Sequence, residues 1–141
     1  IKVVLTYQLD TSKNEKQDTS KLDLKDKRIL LVEDNEINME VAEFYLNAVH
    51  ANVDKAWNGL EAVEKVKEQP NQYSLILMDI MMPKMNGDEA AKCIRKINPS
   101  IPIVAMSAQS EYSIDQTIMN DSISKPIDEQ KLNHILSKYV A

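Results

Sequence analysis

The stretch Ser74-Leu-Ile-Leu-Met-Asp79 decides the fold, because four consecutive apolar residues lead directly into a carboxylate. A short continuous apolar run of this kind is typical of a strand that is buried on both faces, as in a parallel sheet covered by helices. The run Arg28-Ile-Leu-Leu-Val32 repeats the pattern near the start of the chain, and residues 101–106 repeat it further along. These runs predict three buried strands of one parallel sheet.

The segments between the apolar runs carry apolar residues at helical spacing. Helices are predicted after Asn35, at residues 60–69, 88–97 and 114–119, and after Asp128. Weaker strands are predicted at residues 52–57 and 122–124. In the first helix, the stripe expected to face the core consists of Ile37, Val41, Phe44, Tyr45 and Ala48. Strands that alternate with helices predict a doubly wound α/β fold, with a five-stranded parallel sheet and helices on both faces.

Composition excludes several classes of function. The chain has 141 residues and a net charge of −5, with its Lys and Arg residues scattered, which argues against nucleic-acid binding. Its two glycines exclude glycine-rich phosphate loops, and its single cysteine excludes disulfide frameworks and multi-thiolate metal sites. No apolar run approaches the roughly 20 residues that span a bilayer, and no signal peptide is visible. We therefore expect a cytoplasmic domain, whether or not a longer parent protein is anchored in a membrane.

A change of composition near residue 27 predicts a domain boundary. Residues 1–9 alternate between apolar and polar side chains, as in a half-buried strand, whereas residues 10–26 form a polar linker. The folded domain is expected at residues 27–141. An amphipathic strand without a partner exposes an apolar face and a free backbone edge. Residues 1–9 are therefore predicted to pair with an edge of their own sheet or with another copy of the chain.

Polar side chains follow four of the predicted strands. They are Glu33, Asp34, Asp79, Ser107 and Lys125. Because the carboxyl ends of parallel strands meet at one edge of the sheet, these side chains should converge. Three adjacent carboxylates repel one another unless a cation intervenes, and Mg²⁺ suits a site of few carboxylates. Such a site favours a nucleophilic Asp79 that forms an acyl phosphate, a hydrogen bond from Ser107 to phosphate, and an ion pair from Lys125.

Each of these residues, taken singly, has a simpler explanation. Asp79 would be a turn or helix-cap residue, and Glu33 with Asp34 would favour the positive end of the next helix. Ser107 and Lys125 would be solvent-exposed turn residues. The set is more specific than its members, because every member falls at the same predicted edge.

Residues 27–141 resemble the receiver domain of two-component response regulators. The segments that carry the resemblance are residues 28–38, 75–87, 103–108 and 124–127. The resemblance implies a flavodoxin-like fold and a phosphoryl group transferred from a histidine kinase or a histidine phosphotransfer domain. It implies Asp79 as phosphoacceptor, Ser107 as switch hydroxyl, Lys125 as phosphate-pairing lysine, and Mg²⁺ held by Glu33, Asp34, Asp79 and the backbone carbonyl of Met81.

The Glu33-Asp34-Asn35 form of the first motif resembles receivers that are fused to hybrid histidine kinases. Residues 1–9 would then end an upstream ATP-binding domain, and the chain would be the C-terminal receiver of such a kinase. The chain itself is not expected to be a conventional enzyme. The alternatives are a stand-alone response regulator, an interaction-only receiver and a phosphatase of the haloacid dehalogenase type. The phosphatase would need a second Asp at position 81, where Met stands.

Four further expectations concern details of the receiver. The interval between Ser107 and Lys125 is short, so the fourth helix should be reduced, and Ser122 stands where the family has an aromatic switch residue. Gly87 is expected to adopt a positive φ. The donor is expected to dock on the exposed face of the first helix through complementary Lys or Arg residues. That face consists of Glu36, Glu40, Glu43 and Asn47.

Overall fold

The structure is a computed structural model, and it describes residues 22–82, 85–108 and 114–140. The strand predicted at residues 1–9 lies outside the described residues, so its pairing with another copy stays a prediction. Within the described ranges, no helix combines the length and the apolar character needed to cross a membrane.

In the described residues, five strands and four helices alternate along the chain except between the fourth and fifth strands, where no helix is described. The strands are β1 Arg28–Val32, β2 Asn52–Ala56, β3 Leu75–Asp79, β4 Ile103–Ser107 and β5 Asp121–Ser124. The helices are α1 Glu36–Ala48, α2 Gly59–Glu68, α3 Gly87–Ile97 and α4 Glu129–Tyr139. All strand pairs are parallel, in the order β2-β1-β3-β4-β5. The predicted fold class is confirmed, and the strand order reverses at β1, beside β3, where such sheets bind their ligands.

Local sequence explains where the helices begin. The residue before each helix is Asn35, Asn58, Asn86 or Asp128, and in each case its side chain accepts a hydrogen bond from the backbone N–H three residues later. This N-cap satisfies one of the amide groups that a helix start leaves without an intrahelical partner. Each of the described helices begins three to eight positions after the end of the strand that precedes it.

Two apolar layers enclose the sheet. Along β1, Leu30 and Val32 pack with α2 and α3 on one face, whereas Ile29 and Leu31 pack with α1 and α4 on the other. This alternation follows from the period of two along a strand, and it explains why the strand is apolar throughout.

The inward stripe predicted for α1 is wrong except for Tyr45, which is partly buried against the core. The buried residues of α1 are Met39, Ala42 and Leu46, whereas Ile37 is 71% exposed and Phe44 is 69% exposed. Both sets of residues have helical spacing, so periodicity alone cannot say which set faces the sheet. Packing against the sheet determines which set is buried, and it leaves the stripe that contains Ile37 and Phe44 on the surface.

The helix predicted at residues 114–119 is also wrong, because the described residues there form a turn at 116–118. The Arg95 side chain of α3 fastens this segment. Its Nε donates to the Ile118 carbonyl oxygen at 2.7 Å, and its Nη2 donates to Asn120 Oδ1 at 2.6 Å. A side-chain clamp, rather than a helix, joins this part of the connection between β4 and β5 to the domain.

The packed domain begins before the boundary expected near residue 27. Leu24 is 2% exposed and lies in the core beside α1 and α4. Its backbone N–H donates to the Val49 carbonyl oxygen at 2.7 Å. Leu22 and Leu24 are the two apolar residues of an otherwise polar stretch, too few to give a periodic signal, so composition alone places them in the linker.

Candidate functional site

Three carboxylates meet at the carboxyl edge of the sheet. Glu33 and Asp34 follow β1, and Asp79 ends the adjacent strand β3. One carboxylate oxygen from each residue lies within 4.8 Å of the others. Glu33 and Asp79 are 2% and 3% exposed, whereas Asp34 is exposed. The predicted convergence of these residues is therefore present in the structure, and the exposed Asp34 gives the cluster an open side.

Lys125 enters the cluster from the end of β5. Its Nζ lies 2.9 Å from Glu33 Oε1 and 3.2 Å from Asp79 Oδ1. The backbone N–H of Lys125 donates to the Ser107 carbonyl oxygen at 2.7 Å, so the ends of β4 and β5 are joined at this point. Ser107 is buried where β4 ends, next to β3 in the sheet. All five predicted strand-end residues therefore occupy one edge.

Burial and like charge make ionisation of Asp79 unfavourable. Desolvation is the main cause, and the adjacent Glu33 carboxylate adds to it, so that the pKa of Asp79 is raised to about 7 although Lys125 opposes the shift. Burial alone would lower the pKa of Lys125, but Glu33 and Asp79 raise it above its ordinary value. The site is an acidic cluster that one ammonium group compensates only in part.

This arrangement fits a hard divalent cation. Three carboxylate oxygens close together are the ligand type that Mg²⁺ prefers, and few carboxylates leave positions for water and phosphate oxygens. A cation here would stabilise the ionised Asp79 carboxylate against the burial and the Glu33 repulsion that raise its pKa.

Local hydrogen bonds orient two of the carboxylates. The Asn35 backbone N–H donates to Glu33 Oε2 at 3.1 Å, so the second oxygen of Glu33 holds the turn into α1. The Met81 backbone N–H donates to Asp79 Oδ1 at 3.3 Å. Met81, predicted to supply a backbone carbonyl, thus lies two residues after the predicted phosphoacceptor and beside its carboxylate.

Gly87 is required for close packing rather than for a positive φ. No described glycine has a positive φ, so the predicted conformation is wrong. Gly87 is the first residue of α3, and a Cβ atom there would collide with the Asp79 carbonyl oxygen and lie 2.9 Å from Ile80 Cα. The missing side chain lets α3 approach the end of β3, a contact that the eight-position spacing of Asp79 and Gly87 does not by itself reveal.

Sequence reasoning missed two groups near the site. The Lys131 side chain of α4 donates hydrogen bonds to the residues on either side of Lys125. A single lysine in a polar helix turn has no sequence pattern that predicts this contact. Exposed apolar side chains also surround this edge: Ile37 lies in the first turn of α1, Trp57 and Leu60 flank the start of α2, and Met81 follows β3. Their hydrophobicity was visible in the sequence, but their exposure was not.

Comparison with known proteins identifies the family. A family model for the response regulator receiver domain matches residues 29–137. The two-component response regulator ORR41 of rice (Oryza sativa subsp. japonica) is 42% identical over 118 residues, covering 79% of this chain and 93% of ORR41. The osmosensing histidine protein kinase SLN1 of Saccharomyces cerevisiae is 40% identical over 123 residues, covering 81% of this chain but 10% of SLN1. The chain thus spans most of a small regulator and a small part of a kinase.

Two solved structures extend the comparison. One is the receiver domain of the sensor histidine kinase PA1611 from Pseudomonas aeruginosa PAO1, solved with a magnesium ion coordinated in its active site cleft. It has a TM-score of 0.74 at 33% identity, covering 80% of this chain and 96% of that one. The receiver domain of Ssk1 from Saccharomyces cerevisiae, solved with the histidine phosphotransfer protein Ypd1, has a TM-score of 0.70 at 28% identity, covering 80% and 88%. By fold, strand-end residues and family match, this chain belongs to the response regulator receiver domain family.

Proposed function

We propose that this receiver domain accepts a phosphoryl group from a phosphohistidine onto the Asp79 carboxylate, in a Mg²⁺-dependent phosphorelay. The observation that carries the proposal is the joint placement of Glu33, Asp34 and Asp79 with Lys125 at one edge of the sheet. An interaction-only receiver would have no need for this charge arrangement, whose repulsion costs stability.

The transfer is an attack of an Asp79 carboxylate oxygen on phosphorus. The bond between that oxygen and phosphorus forms while the bond between phosphorus and the donor imidazole nitrogen breaks, and the imidazole leaves with the electron pair. Lys125, which lies 3.2 Å from Asp79 Oδ1, is placed to pair with a phosphoryl oxygen. The Ser107 hydroxyl would donate a hydrogen bond to another phosphoryl oxygen.

Glu33, Asp34 and Asp79, with the backbone carbonyl of Met81, would hold Mg²⁺. The cation would supply positive charge to offset that of the transferring phosphoryl group. The chain's own part is to present a buried nucleophile whose neighbours are already oriented. Glu33 is fixed by both Lys125 and the Asn35 backbone, so it enters the reaction without further ordering.

The donor is proposed to be a histidine kinase or histidine phosphotransfer domain that docks on α1. The exposed stripe Ile37, Val41 and Phe44 begins beside the site, and the exposed Glu36 and Glu40 flank it. The acidic surface expected from the sequence is therefore an apolar stripe with acidic margins. A helical partner would present apolar side chains to the stripe and Lys or Arg residues to the margins. The solved Ssk1 complex with a phosphotransfer protein supports a partner of this class.

An origin in a hybrid histidine kinase is also proposed. The similarity to SLN1 and to the PA1611 receiver supports it, whereas ORR41, which the chain nearly spans, represents the stand-alone alternative.

The test is labelling of the chain by acetyl phosphate, a donor too small to need a docking surface. With Mg²⁺ present, intact-mass spectrometry should detect one added phosphoryl group, and peptide mapping should place it on Asp79. The Asp79→Asn variant should remain unlabelled, whereas Asp26→Asn, at an exposed position before the amino end of β1 and so at the other end of that strand from the cluster, should label normally. Labelling that persists in Asp79→Asn, or that does not require Mg²⁺, contradicts the proposal.

A further inference from the structure

Lys131 of α4 reaches back across the turn that carries Lys125. Its Nζ donates to the Ser124 carbonyl oxygen at 3.2 Å, to Ser124 Oγ at 3.1 Å and to the Pro126 carbonyl oxygen at 3.2 Å. An ammonium group has three donors, and all three have acceptors here. The acceptors belong to the two residues that flank Lys125, so a single side chain bridges both ends of this short segment.

The position of Lys131 is itself fixed. Its backbone N–H donates to Asp128 Oδ1 at 2.8 Å, within the N-cap that starts α4. Side chains of a helix lean toward its N-terminus, so a lysine in the first turn is directed back over the preceding segment. The reach of Lys131 therefore follows from where α4 begins.

Lys125 is consequently held from two sides. Its backbone N–H is bound by the Ser107 carbonyl oxygen of β4, and its flanking carbonyls are bound by Lys131 of α4. A lysine side chain is long and flexible, so the position of its ammonium group depends on how firmly the backbone beneath it is held. The Lys125 ammonium must stay within contact of both Glu33 and Asp79.

We propose that Lys131 is a positioning residue for phosphoryl acceptance. It holds the backbone on either side of Lys125, and thereby keeps the Lys125 ammonium at the acceptor carboxylate. Its own ammonium contacts backbone and hydroxyl oxygens of Ser124 and Pro126, so it acts through Lys125. The inference rests on the proposed role of Asp79 as phosphoacceptor.

The first experiment measures the initial rate of Asp79 labelling by acetyl phosphate in excess Mg²⁺. Lys131→Met, which keeps the length of the side chain but removes its donors, should label about tenfold more slowly, because a small displacement of a positioned group is costly. Lys131→Arg, which keeps several donors, should recover most of the rate. Lys138→Met is the matched control. It removes a lysine from the same helix, whose ammonium instead pairs with Asp121, and its rate should stay within about twofold of wild type.

Three further measurements separate positioning from a contribution to folding. In a Lys125→Ala background, Lys131→Met should add no further loss, because residues that act as a unit are not additive. Binding of beryllofluoride with Mg²⁺, a phosphoryl analogue, should weaken in Lys131→Met by about the same factor as the rate falls. In thermal unfolding, Lys131→Met and Lys138→Met should have similar midpoint temperatures.

The outcomes are distinct. If wild type is not labelled, the proposed function fails rather than this inference. If wild type is labelled and Lys131→Met labels like Lys138→Met, the inference is wrong. It is equally wrong if Lys131→Met does not fold, or if it slows labelling as much without Lys125 as with it, because Lys131 would then serve the fold as a whole.

Discussion

Replacing Asp79 with Asn should stabilise the protein in the absence of metal, and the gain should depend on pH. Asp79 is 3% exposed, and its pKa is raised from 3.8 to about 7, first by burial and then by Glu33. An acid whose pKa is higher in the folded state binds its proton more tightly there. Its contribution to stability is therefore complete below about pH 4 and is lost as the pH rises toward 7.

The size of the loss follows from the two pKa values. At about 1.36 kcal/mol per pKa unit, the rise from 3.8 to about 7 corresponds to roughly 4 kcal/mol at pH 8. Asn has nearly the same shape but is neutral at every pH, and it leaves the ion pair between Lys125 and Glu33 in place. It gives up the contact between Lys125 and Asp79, which offsets part of the gain. We expect Asp79→Asn to be more stable than wild type by about 2–4 kcal/mol at pH 8, and by little near pH 4.

The assay is urea unfolding in EDTA at several pH values between about 4 and 8, with the slope on urea checked for two-state behaviour. Asp26→Asn makes the same chemical change at an exposed site and should alter the free energy of unfolding by less than about 0.5 kcal/mol. A difference between Asp79→Asn and wild type that does not vary with pH would refute the argument. So would a variant that is less stable than wild type at pH 8.

Three further predictions concern the cluster, the α1 surface and the α3 clamp. Glu33→Gln should weaken Mg²⁺ binding and, at pH 5, also lower the free energy of unfolding, because Asp79 is then protonated and Glu33 is the charged partner left to Lys125; titration calorimetry and urea unfolding measure the two effects. Ile37→Ser combined with Phe44→Ser should slow phosphoryl transfer from a histidine phosphotransfer domain about tenfold, but spare labelling by acetyl phosphate. Arg95→Met should cost about 1–3 kcal/mol in urea unfolding, because it leaves the Ile118 carbonyl without its donor.

Each of these predictions has a matched control. Asp34→Asn should weaken Mg²⁺ binding without a comparable loss of stability, because Asp34 is exposed; equal losses in both variants would contradict the Glu33 argument. Leu60→Ser changes an exposed apolar residue of α2, and an effect on transfer as large as that of the α1 variant would remove the case for docking on α1. Lys96→Met removes an exposed cation next to Arg95, and an equal loss of stability there would count against the clamp.

The sequence by itself was sufficient for the sheet and for the membership of the strand-end cluster. The apolar runs at β1, β3 and β4 are too short for buried helices and therefore favour buried strands, and a parallel sheet brings their carboxyl ends together. Asp79 and Lys125 could therefore be placed at one edge, although 46 residues separate them in the chain. The position at which a helix begins is also set by neighbouring residues in the sequence, because a capping side chain and the amide group that it satisfies lie three residues apart.

Only the tertiary structure decided which surfaces meet. The helix α1 carries two apolar stripes of equal periodicity, and packing on the sheet buried Met39 and left Phe44 exposed. The need for glycine at position 87 comes from the Asp79 carbonyl of another segment. The contact of Lys131 with the residues around Lys125 depends on where α4 begins and how it leans. Periodicity and capping are short-range properties that a sequence displays, whereas these contacts depend on the distance between segments, which only the packed chain defines.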